Sequence, residues 1–318
     1  METIDDTLQR LTEARMRAYH PIASTWQDPQ LVWQRMRAET ADLLTRTAEP
    51  FGRQLMAHFP QAGAAASDYQ DAVIRLPDGR LALAGIRFRG GDASVPFVDI
   101  AALEGEFTAE RIRDVAARWA RFAPVAVRLQ VPPAGIGDFR IDQRIVAGPV
   151  AAVSGPDLPA GVSIEVATGT DWYERYQSEY DRFLAADTGR REWTQPETEA
   201  ALADSVAEGA VFLISRYGEP AGVFALPRRT RHGLAGFQMQ EKFLFASARG
   251  IGLAATIENA IIRRLPGDVV FGSIADGNLA SRRAAYRVGR TDIAATLWLS
   301  PPAGQPPRPG SPRRSGRR

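Results

Sequence analysis

Residues 243 to 262 read Phe243-Leu-Phe-Ala-Ser-Ala-Arg-Gly-Ile-Gly-Leu-Ala-Ala-Thr-Ile-Glu-Asn-Ala-Ile-Ile, an apolar strand-like run, two spaced glycines, then an apolar helical run. Glycine lets a backbone approach a ligand closely, and the first turn of a helix presents unpaired N–H groups at the positive end of its dipole. Together they suit a diphosphate, with the amides of Gly250, Ile251, Gly252, Leu253 and Ala254 as donors and Arg249 as a fixed charge. A glycine pair by itself serves equally well as a strand-to-helix turn that needs glycine for close packing. A dinucleotide βαβ unit does not fit, because the third glycine is missing and no acid closes the next strand in the expected way. A Walker A loop is excluded by the absence of Gly-Lys-Ser/Thr.

The elements that must position this segment follow from periodicity and turn residues. The first 60 or so residues have helical spacing. A hairpin signature spans Asp71 to Phe88 around Pro77-Asp78-Gly79, with strands expected near 95–101 and 125–131, a helix from about Thr108 to Phe122, and further strands between 139 and 153. Pro156 to Gly161 punctuates the chain. Then come a strand at 162–166, helices at 171–186 and about 195–208 (the second opening on Pro196), a hairpin at 211–226 and a strand near 237–245. The glycine-led helix, a strand at 268–274, a helix at 278–288 and a strand at 292–299 complete the order. Hairpins near 72 and 211, and strands near 96 and 237 and near 125 and 269, repeat at about 140 residues, which suggests two copies of one fold; two unrelated α+β domains are the competing reading.

The 318 residues contain no cysteine, which removes disulfides, thiolate metal sites and thiol nucleophiles, and the three histidines are scattered, so no metal is expected. No apolar run reaches the roughly 20 residues of a membrane span, and the acidic start is not a signal peptide, so a cytoplasmic protein is expected. The formal charge of +2 is set by a Pro/Gly/Ser-rich tail from Pro301 onward with five arginines and no acid. Its composition predicts disorder at 301–318, with non-specific contact to RNA or acidic surfaces as the other reading and no specific nucleic acid expected.

Arg249-x-x-Gly252-x-Ala254 resembles the Gln/Arg-x-x-Gly-x-Gly/Ala cofactor signature of the GNAT superfamily of acyl-CoA-dependent N-acetyltransferases. The order of elements over about residues 160 to 300 is similar too, as is an Asn (Asn278) opening the later helix with a small residue three on (Ser281) and a Gly eleven on (Gly289). The resemblance implies an α+β fold with two GNAT-like domains in tandem, each a mixed, mostly antiparallel central sheet flanked by helices, divided as 1–158 and 159–300. It implies acetyl-CoA or another acyl-CoA as co-substrate. It also implies that the strand at Phe243, Leu244 and Phe245 pairs its backbone with the pantetheine amides and that Asn278 bonds the pantetheine arm; the residues alone allow Asn278 to be a helix cap instead.

Such a domain lets an amine attack the thioester, which calls for a general base, an oxyanion donor and an acid for the leaving thiolate. Glu241 is the candidate base, its alternative being an ordinary solvent-facing strand residue. The family's acid, a tyrosine seven residues after the Asn, falls on Ala285; Tyr286 is one residue further, rotated by about 100° on a helix. Either a local irregularity brings it back or a water serves, and core packing is its alternative role. Trp172, Tyr173, Tyr176, Tyr180 and Phe183 fit the acceptor side and core packing alike. Arg190, Arg191, Arg228, Arg229 and Arg231 could hold an acidic acceptor or be solvated.

In the N-terminal half, Glu104 and Glu106 stand where phosphates would sit, so that half is expected not to bind acyl-CoA but to shape the acceptor cleft of the other. The resulting expectation is an N-acyltransferase acting on a small-molecule or peptide amine, with the oligomeric state open. The alternatives are an aminoacyl transferase built on paired GNAT-like halves and a non-catalytic acyl-CoA-binding sensor or partner protein.

Overall fold

The computed structural model describes residues 3–137 and 139–299; the Arg-rich segment expected to be disordered lies outside them. Capping sets the first helices. In α1 (Ile4–Arg17) the Thr3 side chain accepts the Asp6 N–H while Asp6 returns a bond to the Thr3 amide. Asp28 caps α2 (Pro29–Thr45), with Pro29 in the first turn. α3 (Glu49–His58) and α4 (Ala66–Tyr69) complete the helical opening.

Strands follow as β1 (Ala72–Arg75), β2 (Leu81–Phe88) and β3 (Pro96–Leu103), then α5 (Ala109–Ala117), β4 (Ala126–Val131) and β5 (Ile141–Pro149). After residues 154–161 come β6 (Val162–Val166), α6 (Tyr173–Ala185), α7 (Glu199–Ala207), β7 (Val211–Arg216) and β8 (Glu219–Ala225). The chain continues through β9 (Arg228–Arg231), β10 (Leu234–Gln238), β11 (Glu241–Leu244), α8 (Leu253–Ile262), β12 (Val269–Ala275), α9 (Leu279–Arg287) and β13 (Thr291–Leu299).

Three elements differ from the sequence expectation. α7 starts at Glu199 rather than at Pro196, because the Thr198 hydroxyl supplies the cap to Ala201 N–H. β9 is an unexpected strand; its mostly exposed arginines suit a sheet edge, where charge blocks further pairing. The single strand expected near 237–245 is two strands, β10 and β11, that belong to different sheets.

The fold class is α+β, as expected, and the two halves repeat the same element order. Their sheets are not separate, however. Nine strands run β1-β2-β3-β4-β13-β5-β12-β10-β9, and a second sheet runs β11-β8-β7-β6. β13 lies antiparallel between β4 and β5, while β5 lies antiparallel between β13 and β12. Each half thus lends its last strand to the other, and backbone ladders tie the halves together. Helix α2 reinforces this by placing Val32 and Met36 in a core with Ile145, Leu234, Phe271 and Ile293. Burying side chains of this size stabilises by roughly 1.5–3 kcal/mol each.

The parallel pairs β3/β4 and β10/β12 occupy matching places in the two halves. The second is so close that a Cβ on Gly236 would meet the Val269 carbonyl oxygen at 2.0 Å. At its end the chain changes partner: Met239 N–H donates to Phe271 O of β12 at 2.8 Å, and the next amide, Gln240 N–H, donates to Ala225 O of β8 at 2.9 Å. Two successive amides bonded to different sheets force β11 away from β12, and a cleft opens between them.

Candidate active site

The cleft has a volume of about 530 Å³ and is lined by residues from β11, β12, α8, α9 and the segments around Phe183 and Trp193. All of its lining residues lie between 180 and 290. The N-terminal half therefore does not shape it directly, contrary to the sequence expectation; that half contributes β5, which backs β12 through the ladder from Val269 to Ala275.

At one end the cleft meets the start of α8. Gly250 and Gly252 have φ of +77° and +82°, a region that side chains disfavour, and a Cβ on either would meet nothing within 4 Å. Glycine is therefore required here by backbone conformation, and the space beside it is open. Gly252 is the N-cap of α8 and no side chain caps the helix. The orphan N–H groups of the first turn are left to an external acceptor. Gly250, Gly252, Leu253 and Ala254 all line the cleft; Ile251 points to solvent and is 52% exposed.

The corresponding helix of the other half is closed. Thr108 accepts the Arg111 N–H at the start of α5, and Glu104 is held by Arg10 and by Leu81 N–H. An anion there would meet a capped helix and a carboxylate already in place.

Arg249 departs from its expected role. Its Nε donates to Leu244 O, and its guanidinium is clamped between the rings of Phe183 and Phe243, 4.4 Å from each centroid. Its charge is thus turned onto β11 and the aromatic cluster rather than left free at the loop. The strand itself is also partly engaged: Lys242 N–H donates to Glu241 Oε1 at 2.7 Å. Phe243 and Leu244 line the cleft, but Phe245 does not; its amide donates to Ala221 O and its buried ring sits with Phe243. A ligand that pairs with this strand must displace Glu241 from the Lys242 amide.

Glu241 is 8% exposed and lines the cleft. Its Oε2 accepts the Tyr176 hydroxyl, which itself accepts the Glu197 N–H at 2.9 Å. Burial pushes the Glu241 carboxyl up to about 7, against the opposing pull of these hydrogen bonds. A carboxylate that titrates near neutrality and faces a cleft can take a proton from an ammonium group.

Asn278 serves as the N-cap of α9, accepting Ser281 N–H at 3.1 Å, and both residues line the cleft. The cap reading is realised without removing Asn278 from the cleft wall. Tyr286 is elsewhere. It is 41% exposed, is not a lining residue, and donates its hydroxyl to Asp292 Oδ1 at 2.7 Å. The helix stays regular, so the rotation by one residue is not undone, and Tyr286 does not present an acid to the cleft.

Of the aromatic candidates, Tyr180 and Phe183 line the cleft, whereas Trp172 and Tyr173 are bonded to Gly169 O and Glu197 O. Among the loop arginines, Arg190 stacks on Phe183, Arg228 pairs with Asp268 and Arg229 pairs with Glu208; none of the five lines the cleft. Sequence reasoning missed Lys242, Glu258 and Arg290, which meet beneath the cleft. Lys242 alone carried a signal, as the one lysine in the chain. Among the described residues no group of three or more side chains could hold a metal, and no helix is long and apolar enough to cross a membrane.

No protein-family model and no curated protein matches the sequence. Solved structures with similar folds include an acetyltransferase of the GNAT family from Colwellia psychrerythraea, at 13% identity and TM-score 0.44, covering 81% of this chain and 96% of that one. A GCN5-related N-acetyltransferase from Kribbella flavida is similar at 15% identity and TM-score 0.44, with the same coverages. A tandem GNAT protein from the clavulanic acid biosynthesis pathway is similar at 15% identity and TM-score 0.41, covering 80% of this chain and 97% of that one. At these identities and scores the likenesses carry no argument about activity. On its own strand order, with its split sheet and glycine-led helix, the chain has a tandem GNAT-like fold.

Proposed function

We propose that the chain is an N-acyltransferase that moves an acetyl or other short acyl group from coenzyme A to a primary amine. The observation that carries this reading is the uncapped start of α8, with open space at Gly250 and Gly252, at the end of a cleft that also holds the buried Glu241. Amides from Gly252 to Ala254 suit a diphosphate, and the gap between β11 and β12 suits an extended arm. Glu241 then takes a proton from the incoming ammonium group, so that the amine nitrogen can form its bond to the thioester carbon. The second proton of that nitrogen passes to water as the C–S bond breaks, and the thiolate takes up a proton from water, since Tyr286 of α9 does not line the cleft. Glu197 and the Tyr180–Thr194 pair line the acceptor side, which suits a cationic amine.

The position of Tyr286 favours a second reading, an acyl-CoA-binding protein without turnover. Both are tested by following thiol release from acetyl-CoA against a panel of primary amines and amino acids. Turnover with any amine supports the enzyme, whereas saturable binding with no thiol release supports the sensor.

A further inference from the structure

The two faces of β11 carry opposite charge. Adjacent strand residues project to opposite sides, so Glu241 turns to Tyr176 on α6 while Lys242 turns toward α8 and α9. Lys242 Nζ lies 2.9 Å from Glu258 Oε2 and 3.3 Å from Ser281 O. Arg290 Nη2 lies 2.5 Å from Glu258 Oε1. The side chains of Lys242, Glu258 and Arg290 are 8%, 0% and 1% exposed.

Two cations thus share one carboxylate, and the cluster holds one positive charge in excess. Among the described residues, Arg290 Nε and Nη1 have no hydrogen-bond partner at all. A buried charge left incomplete in this way is strongly unfavourable unless an anion completes it. Lys242 and Arg290 both line the cleft, beside the small residues Gly272, Ser281 and Ala284. Nothing in the pairing of β11 or the capping of α9 needs this cluster, and an apolar core would pack the same space without an orphaned guanidinium.

On the acyl-transfer reading given above, we infer that the acyl group itself ends in a carboxylate, a dicarboxylic acyl thioester of the succinyl type, whose free carboxylate completes the cluster at Arg290 and Lys242. The free carboxylate takes no part in the bonds made and broken: the amine nitrogen bonds to the thioester carbon, the C–S bond breaks, and the thiolate is protonated. The carboxylate belongs to the donor and not to the acceptor because of the charge partition across β11. On the acceptor side Glu241 and Glu197 attract an ammonium group and repel a carboxylate, while the guanidinium of Arg249 is taken up by Leu244 O and the rings of Phe183 and Phe243.

Titration of the full chain with coenzyme A, acetyl-CoA and succinyl-CoA tests this. Succinyl-CoA is expected to bind about tenfold more tightly than acetyl-CoA or better, the effect of one charge-assisted hydrogen-bonded pair. That ratio is expected to fall to near one in Arg290→Met and to be partly kept in Arg290→Lys. Equal affinity for the two thioesters in the unmutated chain overturns the inference while leaving acyl transfer standing, and needs no variant to fold. Failure of all three ligands to bind overturns both. A preference for carboxylated amines over their amides, with no discrimination between the thioesters, would place the carboxylate on the acceptor and overturn the inference as well.

Discussion

The Glu241 carboxylate accepts the Tyr176 hydroxyl on one oxygen and the Lys242 N–H on the other, while it lines the wall of the cleft. Burial raises this carboxyl to about 7, so near neutrality it is poised between accepting and holding a proton. As pH falls below 7 the group becomes protonated and can no longer act as base. The kcat/KM for amine acylation is therefore expected to fall about tenfold per unit on the acid side of pH 7 and to level above it, and Glu241→Gln to lower the plateau by about 10²–10⁴-fold and abolish this limb. A second readout separates the base from a structural role. A carboxyl raised in the folded state adds stability below its unfolded value, and that stability is lost as pH rises through 7. Relative to the unmutated protein, Glu241→Gln is thus expected to be more stable at pH 8 than at pH 5, although its activity is lowered at both. A mutant with an unchanged acid limb would exclude Glu241 as the base.

Tyr286 is expected to be dispensable for chemistry. Tyr286→Phe removes the bond to Asp292, which also receives Arg144 Nη1 at 2.6 Å, so stability should fall by about 1 kcal/mol. Thiol-release kinetics should show kcat within about twofold of the unmutated protein; by contrast, losing a true general acid would lower the rate by about 10²-fold or more.

Glu258 stands between two buried cations, and Glu258→Gln removes the sole carboxylate holding both. Denaturant unfolding is expected to show a loss of about 3–5 kcal/mol. Asp157→Asn, at the exposed pair with Arg263, should stay within about 0.5 kcal/mol, because water already screens that pair.

His232 sits at the turn between β9 and β10 with φ of +61°, and its Nδ1 is 2.8 Å from the Tyr19 hydroxyl. Burial pushes it down to about 3. The unfolded chain therefore binds a proton that the folded chain refuses, and stability is lost as pH falls from 6.5 toward 3, by about 1.4 kcal/mol per pH unit. Asn tolerates positive φ, so His232→Asn is expected to fold and to flatten the stability profile in that window, as measured by urea unfolding at pH 4, 5 and 6.

Where a pattern is local, it was legible. Hairpins, the glycine-led helix and the base candidate Glu241 are each written in a few neighbouring residues, and the structure brings them together. Long-range pairing was not legible: β5 and β13 read as ordinary terminal strands, and nothing in either marks that each would fill a gap in the other half. The splitting of one strand at Met239 and Gln240 depends on Phe271, 32 residues later, and Ala225, 15 residues earlier, which no periodicity reports. Arg290 and Glu258 look like helix-flanking and helical surface residues in sequence. Only the burial of α8 on both faces, where Glu258 and Asn259 are as hidden as Ile257, turns them into a cluster. The inward turn of Arg249 likewise depends on Phe183, which lies 66 positions earlier in the chain.

Calorimetric titration of coenzyme A into the full chain and into Gly252→Asp bears most directly on the proposed diphosphate site. Asp is tolerated in the left-handed region better than most residues and brings a carboxylate to the helix start, so the fold is kept while the open amides are taken and the diphosphate is repelled. Micromolar binding by the unmutated chain and a loss of about a hundredfold in the variant are the expected results. Equal affinity in the two proteins would mean that the start of α8 does not hold the diphosphate, and the acyltransferase reading would lose its anchor.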